Sequence, residues 1–356
     1  MEFASQPLVS IVTPVYNEEE HLAECIESVL AQSYQNWDYT IVDNCSTDRS
    51  LEIARQYAAK YPRLRVHENR QFLDMIPNHN VAVRQISPAS KYCKVVLGDD
   101  WIFPECLERM VAVAQDNPSV GVVSAYQQCG QQIRIKGLPD GQALVGGKEA
   151  CRQFLMDKLL LFGSPSSVLY RADLVRSRYP FYVETDMYPD FEACFALLSR
   201  SDLGFVHEIL TFSRPRAGSV GAISADIGAH FGSMLGMLFT YGEGCLPSDE
   251  FDECLDRQLS RYYRFLGRRV FVERDRDFWS YHKKTFAKFG ISFSRARLAN
   301  AAMGELWGSV LDPKSTLESI RRFFSLIKIR NLQTRSVVSN FGSQRVEDGD
   351  RPVVRS

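Results

Sequence analysis

The chain has 356 residues, of which 45% are hydrophobic and 24% charged, with a formal net charge of −1. That is enough apolar material for one large core plus an extension, and it excludes a disordered or strongly basic nucleic-acid-binding chain. Nine scattered cysteines with no C-x-x-C pair point away from a disulfide framework or zinc site and towards a reduced, cytoplasmic setting.

The small net charge hides an asymmetry. Residues 1–256 carry 21 Lys/Arg against 34 Asp/Glu, and residues 257–356 carry 21 against 9. The basic last hundred residues are expected either to present a solvated helical face or to meet an anionic surface. No aromatic-basic motif of the nucleic-acid-binding kind accompanies them.

At the start, MEFASQPLVSIV has no basic leader before an apolar run, so no secretory signal is expected. LVSIVT (8–13), WDYTIV (37–42), LRVHE (64–68), YCKVVL (92–97) and VGVVSA (119–124) read as strands. They alternate with amphipathic stretches, as crossover helices of a mostly parallel sheet require. Leu22, Cys25, Ile26, Val29 and Leu30 recur at helical spacing after Glu18 to Glu20, and residues 50–62 repeat the arrangement after Ser46, Thr47 and Asp48.

Residues 127–165 are glycine-rich and loop-like, leading to a helix near 148–160, and 163–220 mixes short strands and helices. From 226 to about 324 the pattern is helical. The stretch 227–241 is too short and too interrupted by Gly228, His230, Gly232, Ser233 and Gly236 to span a bilayer. The division expected is 1–225 (a nucleotide-binding half, 1–126, and an acceptor half, 127–225), a helical extension over 226–330, and a disordered tail over 331–356.

Polar residues gather where strands end, and open α/β sheets bind ligands at those ends. Thr13 to Glu18 follow the first strand, Asp43 to Asp48 the second, Glu68 to Arg70 the third, and Gly98 to Asp100 the fourth. In KVVLGDDWIFP a buried strand delivers Asp99 and Asp100 into a turn. Adjacent carboxylates there suit a divalent cation carrying a diphosphate; the lesser alternative is that Asp100 caps the next helix and Asp99 is a turn residue. Tyr16 offers a face to a nucleotide base and Asp43 an acceptor to its edge.

Five blocks in order, TPVYNEEEHLAECIESVLAQSY, VDNCSTDRSLEIA, LGDDWIFPECLERMV, SPSSVLYRADLV and YPDFEACFALLSRSDLGFVHEILTFSRPRAGS, resemble the signatures of family-2 glycosyltransferases. The resemblance runs from about Leu8 to Ser219. It implies a GT-A fold, a mostly parallel Rossmann-like sheet flanked by helices, here with the helical C-terminal extension. It also implies inverting transfer of a sugar from a UDP- or dTDP-sugar to an acceptor hydroxyl, in surface polysaccharide or glycolipid synthesis, with Mg or Mn.

Carried over residue by residue, the likeness assigns the nucleoside to Pro14, Tyr16, Glu18 and Asp43; Thr13 is expected to join them in binding the nucleotide-sugar, and Asn69 and Arg70, directly after the third strand, are placed for the nucleotide or its phosphates. The metal falls to Asp99 with Asp100. The D-x-D motif is incomplete, since Leu97 stands where its first acid would be. Asp190 matches the general base, with Pro189 in place of the usual Glu, while Glu192 lies on another helix face and Asp186 is a reserve. Arg214 and Arg216 are assigned to the diphosphate, Arg216 standing where His is frequent.

The incomplete motifs keep a second reading open, a non-catalytic sugar-nucleotide-binding or scaffold protein. A nucleotidyltransferase would need glycines and a base in the first loop, and TPVYNEEE has neither. Residues 315–330 carry an apolar stripe (Leu317, Ile320, Phe323, Phe324, Ile327) on which the protein could lie peripherally at the inner membrane face, where lipid-linked acceptors reside.

Overall fold

The computed structural model describes residues 6–184, 188–216, 224 and 226–311, without the side chains at 306 and 308–311. The 315–330 stripe, the tail and Asp186 lie outside the described residues.

The elements run β1 (Val9–Val15), α1 (Leu22–Leu30), β2 (Trp37–Asp43), α2 (Ser50–Lys60), β3 (Leu64–Glu68), α3 (Met75–Arg84), β4 (Tyr92–Val95), β5 (Trp101–Ile102), α4 (Cys106–Asp116) and β6 (Val120–Cys129). Then come β7 (Gln132–Ile133), β8 (Leu144–Val145), α5 (Gly147–Leu155), a 3₁₀ turn (Pro165–Ser167), β9 (Val168–Arg171), α6 (Ala172–Arg176), α7 (Pro189–Leu198) and β10 (Asp202–Ser213). Four helices follow, α8 (Ala229–Cys245), α9 (Ser248–Arg269), α10 (Arg276–Lys288) and α11 (Arg295–Leu311). Among the described residues no helix is long and apolar enough to cross a membrane.

The main sheet runs β3-β2-β1-β4-β9-β6-β10-β5. It is mixed. β3, β2, β1 and β4 are mutually parallel, β9 runs antiparallel to both β4 and β6, β10 is parallel to β6, and β5 opposes β10. Neighbouring residues of one strand enter different apolar clusters: Val12, Val42 and Val122 join one, whereas Ile11, Ile41 and Val123 join the other. Alternation across a pleated sheet puts these clusters on its two faces. The wholly buried β1 is what a strand covered on both sides requires.

β1 meets β2 on one side and β4 on the other, so the chain reverses its direction of growth between β1 and β4. The crevice outside the carboxyl ends at such a point is the natural ligand seat of an open sheet. Pro14 helps to open it. The pairing of β1 with β4 stops at Val12 opposite Val95, whereas that with β2 continues to Val15 opposite Asp43, and a residue without an N–H cannot extend a ladder.

Two compact units divide the chain. One comprises the residues up to 216 together with Ser233–Leu255, the other the stretch around 224–232 and the residues from Asp256 onward. In the first, Met237, Leu238, Leu246 and Cys254 belong to the core that also holds Phe154, Phe162 and Phe195. The second is built on aromatic rings: Tyr262 packs on Phe231, Phe286 and His282, and its hydroxyl pairs with His282 Nδ1 at 2.7 Å.

Candidate functional site

The loops after β1 and β2 are sewn to each other. The Asn17 N–H donates to Ser46 Oγ (3.1 Å), the Thr47 N–H to Asn17 Oδ1 (2.8 Å), the Glu18 N–H to Ser50 Oγ (2.7 Å), the Glu19 N–H to Asp48 Oδ2 (3.0 Å) and the Arg49 N–H to Glu19 Oε2 (3.0 Å). Asn17 and Cys45 take left-handed backbone conformations, with φ of 54° and 58°. Asparagine tolerates that region, cysteine much less, and such strain persists only where surroundings enforce it.

Asp43 ends β2, buried at 2% exposure; Oδ2 accepts the Ser46 N–H (3.2 Å), while Oδ1 is buried with no hydrogen-bond partner. An orphaned carboxylate oxygen is costly to bury, and its cost is relieved by any donor a ligand brings. Thr13 points the other way: its hydroxyl pairs with the buried Tyr39 hydroxyl at 2.9 Å. Only its backbone is left to face a ligand.

Beyond β3, the Asn69 amide donates to Asn44 Oδ1 and to Asn78 Oδ1, both at 2.9 Å, and Asn44 brackets Leu73 by accepting its N–H and donating to its carbonyl. Asn69 is therefore a fastener of the loop it sits in. Arg70 is exposed in that loop. So is Phe72, whose ring meets Tyr16 edge-on at 4.8 Å.

The loops after β1, β4 and β10 converge on a cluster of charge. Arg216 Nη1 donates to Glu18 Oε1 at 2.6 Å and lies 3.4 Å from Asp99 Oδ2. Burial pushes the Glu18 carboxyl above its ordinary pKa, and the Arg216 hydrogen bond opposes that shift. Arg214 Nε donates to the Asp99 carbonyl (3.3 Å), and its guanidinium pairs with Glu24 and lies 5.2 Å over Trp101. Gly98 permits the approach of the β4 loop, since a Cβ there would stand 3.3 Å from Glu18 Cγ.

Asp100 faces inward at 2% exposure, its oxygens taken by the Ser166 hydroxyl (2.6 Å) and the Arg214 N–H (3.2 Å). Burial, reinforced by the charge of Asp99, pushes its pKa up to about 7. Ser166 also accepts the Leu97 N–H (3.0 Å), and the fully buried Lys94 donates to the Ser166 and Val168 carbonyls at 2.7 and 3.2 Å. Neither Ser166 nor Lys94 stands out in the sequence as part of this site.

No three acidic, histidine or cysteine side chains gather for a metal among the described residues. Magnesium, however, is commonly held by one or two carboxylates, with substrate phosphates and water completing its shell. A partly exposed Asp99 beside two arginines fits that pattern, since guanidinium groups can pair with phosphate oxygens.

Asp190 lies in the first turn of α7, near the buried Tyr170, Tyr182 and Cys194, whose pKa values are pushed up by burial first and by the charge of Asp190 in addition. Glu192, two residues further, is committed: both its oxygens accept from Arg178, at 2.8 and 2.6 Å, and Tyr241 donates to it. The segment before α7 is clipped to α3 by Asn80, which bonds the Tyr182 N–H (2.8 Å) and carbonyl (2.9 Å). His207 is held by Tyr126 and the Gln142 carbonyl.

The sequence that builds this arrangement is similar to known proteins. Residues 10–178 match the pattern described as glycosyl transferase family 2. The likeness to family-2 glycosyltransferases lies in that stretch, a little under half of the chain. The putative glycosyltransferase EpsE of Bacillus subtilis is 32% identical over 159 residues, 43% of this chain and 56% of EpsE. The putative teichuronic acid biosynthesis glycosyltransferase TuaG of the same organism is 43% identical over 61 residues, 17% of this chain and 24% of TuaG. The match thus spans about half of EpsE and a smaller part of TuaG.

The crystal structure of S. aureus TarS 1–349 in complex with UDP-GlcNAc superposes with a TM-score of 0.60 at 18% identity, over 83% of this chain and 87% of that one. At that identity the likeness establishes the fold. It is the open, mixed GT-A sheet with flanking helices and a helical C-terminal region.

Proposed function

We propose that the protein transfers a sugar, with inversion, from a UDP- or dTDP-sugar to an acceptor hydroxyl of a surface polysaccharide or lipid-linked saccharide. The observation that carries this reading is the convergence of Glu18, Asp99, Arg214 and Arg216 beside Asp43, whose buried oxygen has no donor. Asp43 accepts an N–H from the base edge, and Tyr16 offers it a ring face. Arg214 and Arg216 pair with diphosphate oxygens. A divalent cation on Asp99 would neutralise charge developing on the leaving diphosphate, with Asp100 fixing the turn behind it.

The acceptor oxygen attacks the anomeric carbon as the bond from that carbon to the diphosphate oxygen breaks. The electron pair leaves with the nucleoside diphosphate, and Asp190 takes the hydroxyl proton. A single displacement inverts the anomeric centre. Glu192, bound by Arg178 and Tyr241, is not assigned this role.

Asp190→Asn tests the assignment. Turnover of the preferred UDP- or dTDP-sugar is expected to fall by about 10²–10⁴-fold while nucleotide affinity stays within a few-fold. A fully active variant removes Asp190 from the role. A wild type that binds nucleotide but turns over no donor across a panel of acceptors establishes the non-catalytic alternative.

A further inference from the structure

Tyr16 and Phe72 are 43% and 54% exposed, unusual for large rings in otherwise polar loops. They come from different loops, those after β1 and β3, yet meet each other with planes at 61°. The loop bearing Phe72 is held by a closed set of amide hydrogen bonds, Asn69 to Asn44 and Asn78, and Asn44 to both backbone groups of Leu73. The same loop is tied to Asp43, whose carbonyl accepts the Asn69 N–H at 2.9 Å.

Fixing an exposed aromatic ring in this way stabilises nothing in the core. It does hold an apolar wall in a loop bonded to the residue that carries a buried acceptor without a donor.

We infer that Phe72 is a nucleobase-recognition residue, forming with Tyr16 a two-walled corner above Asp43 for a flat heterocycle bearing a ring N–H, a uracil or thymine. The inference rests on the sugar-nucleotide reading and deepens it. The corner is not a slot: centroids 4.8 Å apart leave no room for a base between the rings, since two van der Waals contacts of about 3.5 Å each would be required. A base lying on one ring turns its edge to the other, an offset geometry that aromatic quadrupoles favour. The selectivity follows from Asp43: an ionised carboxylate accepts and cannot donate, so it suits the ring N–H of uracil or thymine and not the bare ring nitrogen of cytosine.

The experiment is calorimetric titration of the full chain, wild type and Phe72 variants, with UDP, dTDP, GDP, CDP, ADP and inorganic pyrophosphate. Phe72→Ala is expected to weaken UDP binding about tenfold or more, the scale of one lost base stack. Pyrophosphate binding should be unchanged, Phe72→Tyr should retain UDP affinity within about threefold, and Phe72→Leu, which keeps the apolar bulk, should fall with alanine. Wild type should prefer UDP to CDP.

If Phe72→Ala and Phe72→Leu bind UDP as wild type does, the residue has no part in base recognition although the donor reading stands. A wild type that binds none of UDP, dTDP, GDP, CDP or ADP overturns the donor reading and this inference together. Unequal loss of UDP and pyrophosphate binding also separates a lost base contact from general loosening of the fold.

Discussion

Asp43 and Asp100 are both buried carboxylates at strand ends, and they differ in how their oxygens are spent. Asp43 retains an oxygen without a donor, whereas Asp100 has committed both. Asp43→Ala should therefore weaken UDP binding by about 10- to 150-fold, as expected for losing a charged hydrogen bond of about 1.5–3 kcal/mol, and leave pyrophosphate binding intact. Titration calorimetry checks it. Ser166→Ala should act on stability instead, because it strips partners from both Asp100 and the Leu97 N–H. The expected loss is about 1–3 kcal/mol in urea unfolding.

The sequence names both aspartates of the Gly98-Asp99-Asp100 turn but cannot say which faces inward. That is decided by a hydroxyl 66 positions later in the chain. Thr13 shows the same limit: its strand-end position is legible, whereas its bond to Tyr39 follows from the pleat and the neighbouring strand. Asn69 likewise reads as a ligand contact and serves in the fold as a loop fastener.

At the level of elements, strands β1, β2, β4 and β6 are evident from runs of branched and aromatic residues, because strands covered on both faces are largely apolar, whereas the edge strand β3 alternates apolar and polar residues. The direction of β9 is not evident. VLYR is apolar whichever way it runs, and its reversal between β4 and β6 is set by the path of the chain around it. The loop between β3 and α3 depends on one side chain. Asn44→Ala removes three of its hydrogen bonds, and hydrogen exchange at the Leu73 amide should accelerate by an order of magnitude or more, following the loss of roughly 1–3 kcal/mol of local stability.

Gly147, opening α5, is a steric requirement. A Cβ there would lie 1.9 Å from the Ser201 carbonyl oxygen and 2.1 Å from that of Leu198. Neither is a flexible side-chain end. Gly147→Ala should cost about 1–3 kcal/mol, read as a lowered midpoint in thermal unfolding.

For the molecule as a whole, the C-terminal unit carries a pH-sensitive element. His282 is fully buried against Tyr262, and burial together with the charge of Arg269 pushes its pKa down to about 3. In the unfolded chain it takes up a proton near pH 6.5. The unfolded state thus binds more protons between those values, and stability must fall as pH drops from about 6.5 towards 3. Urea unfolding at pH 7.5, 6 and 5 should show the decline, and His282→Gln should flatten it.

The helices after 226 are legible as helices from their periodicity, yet their allegiance is not. The turn of the chain at α8 and α9 returns Met237, Leu238, Leu246 and Cys254 to the apolar cluster shared with Phe154 and Phe195. A boundary drawn near 225 consequently cuts Ser233–Leu255 away from the rest of the first compact unit. Anyone trimming the polypeptide to a minimal active fragment at that position would uncover a raw apolar face, and the product should aggregate.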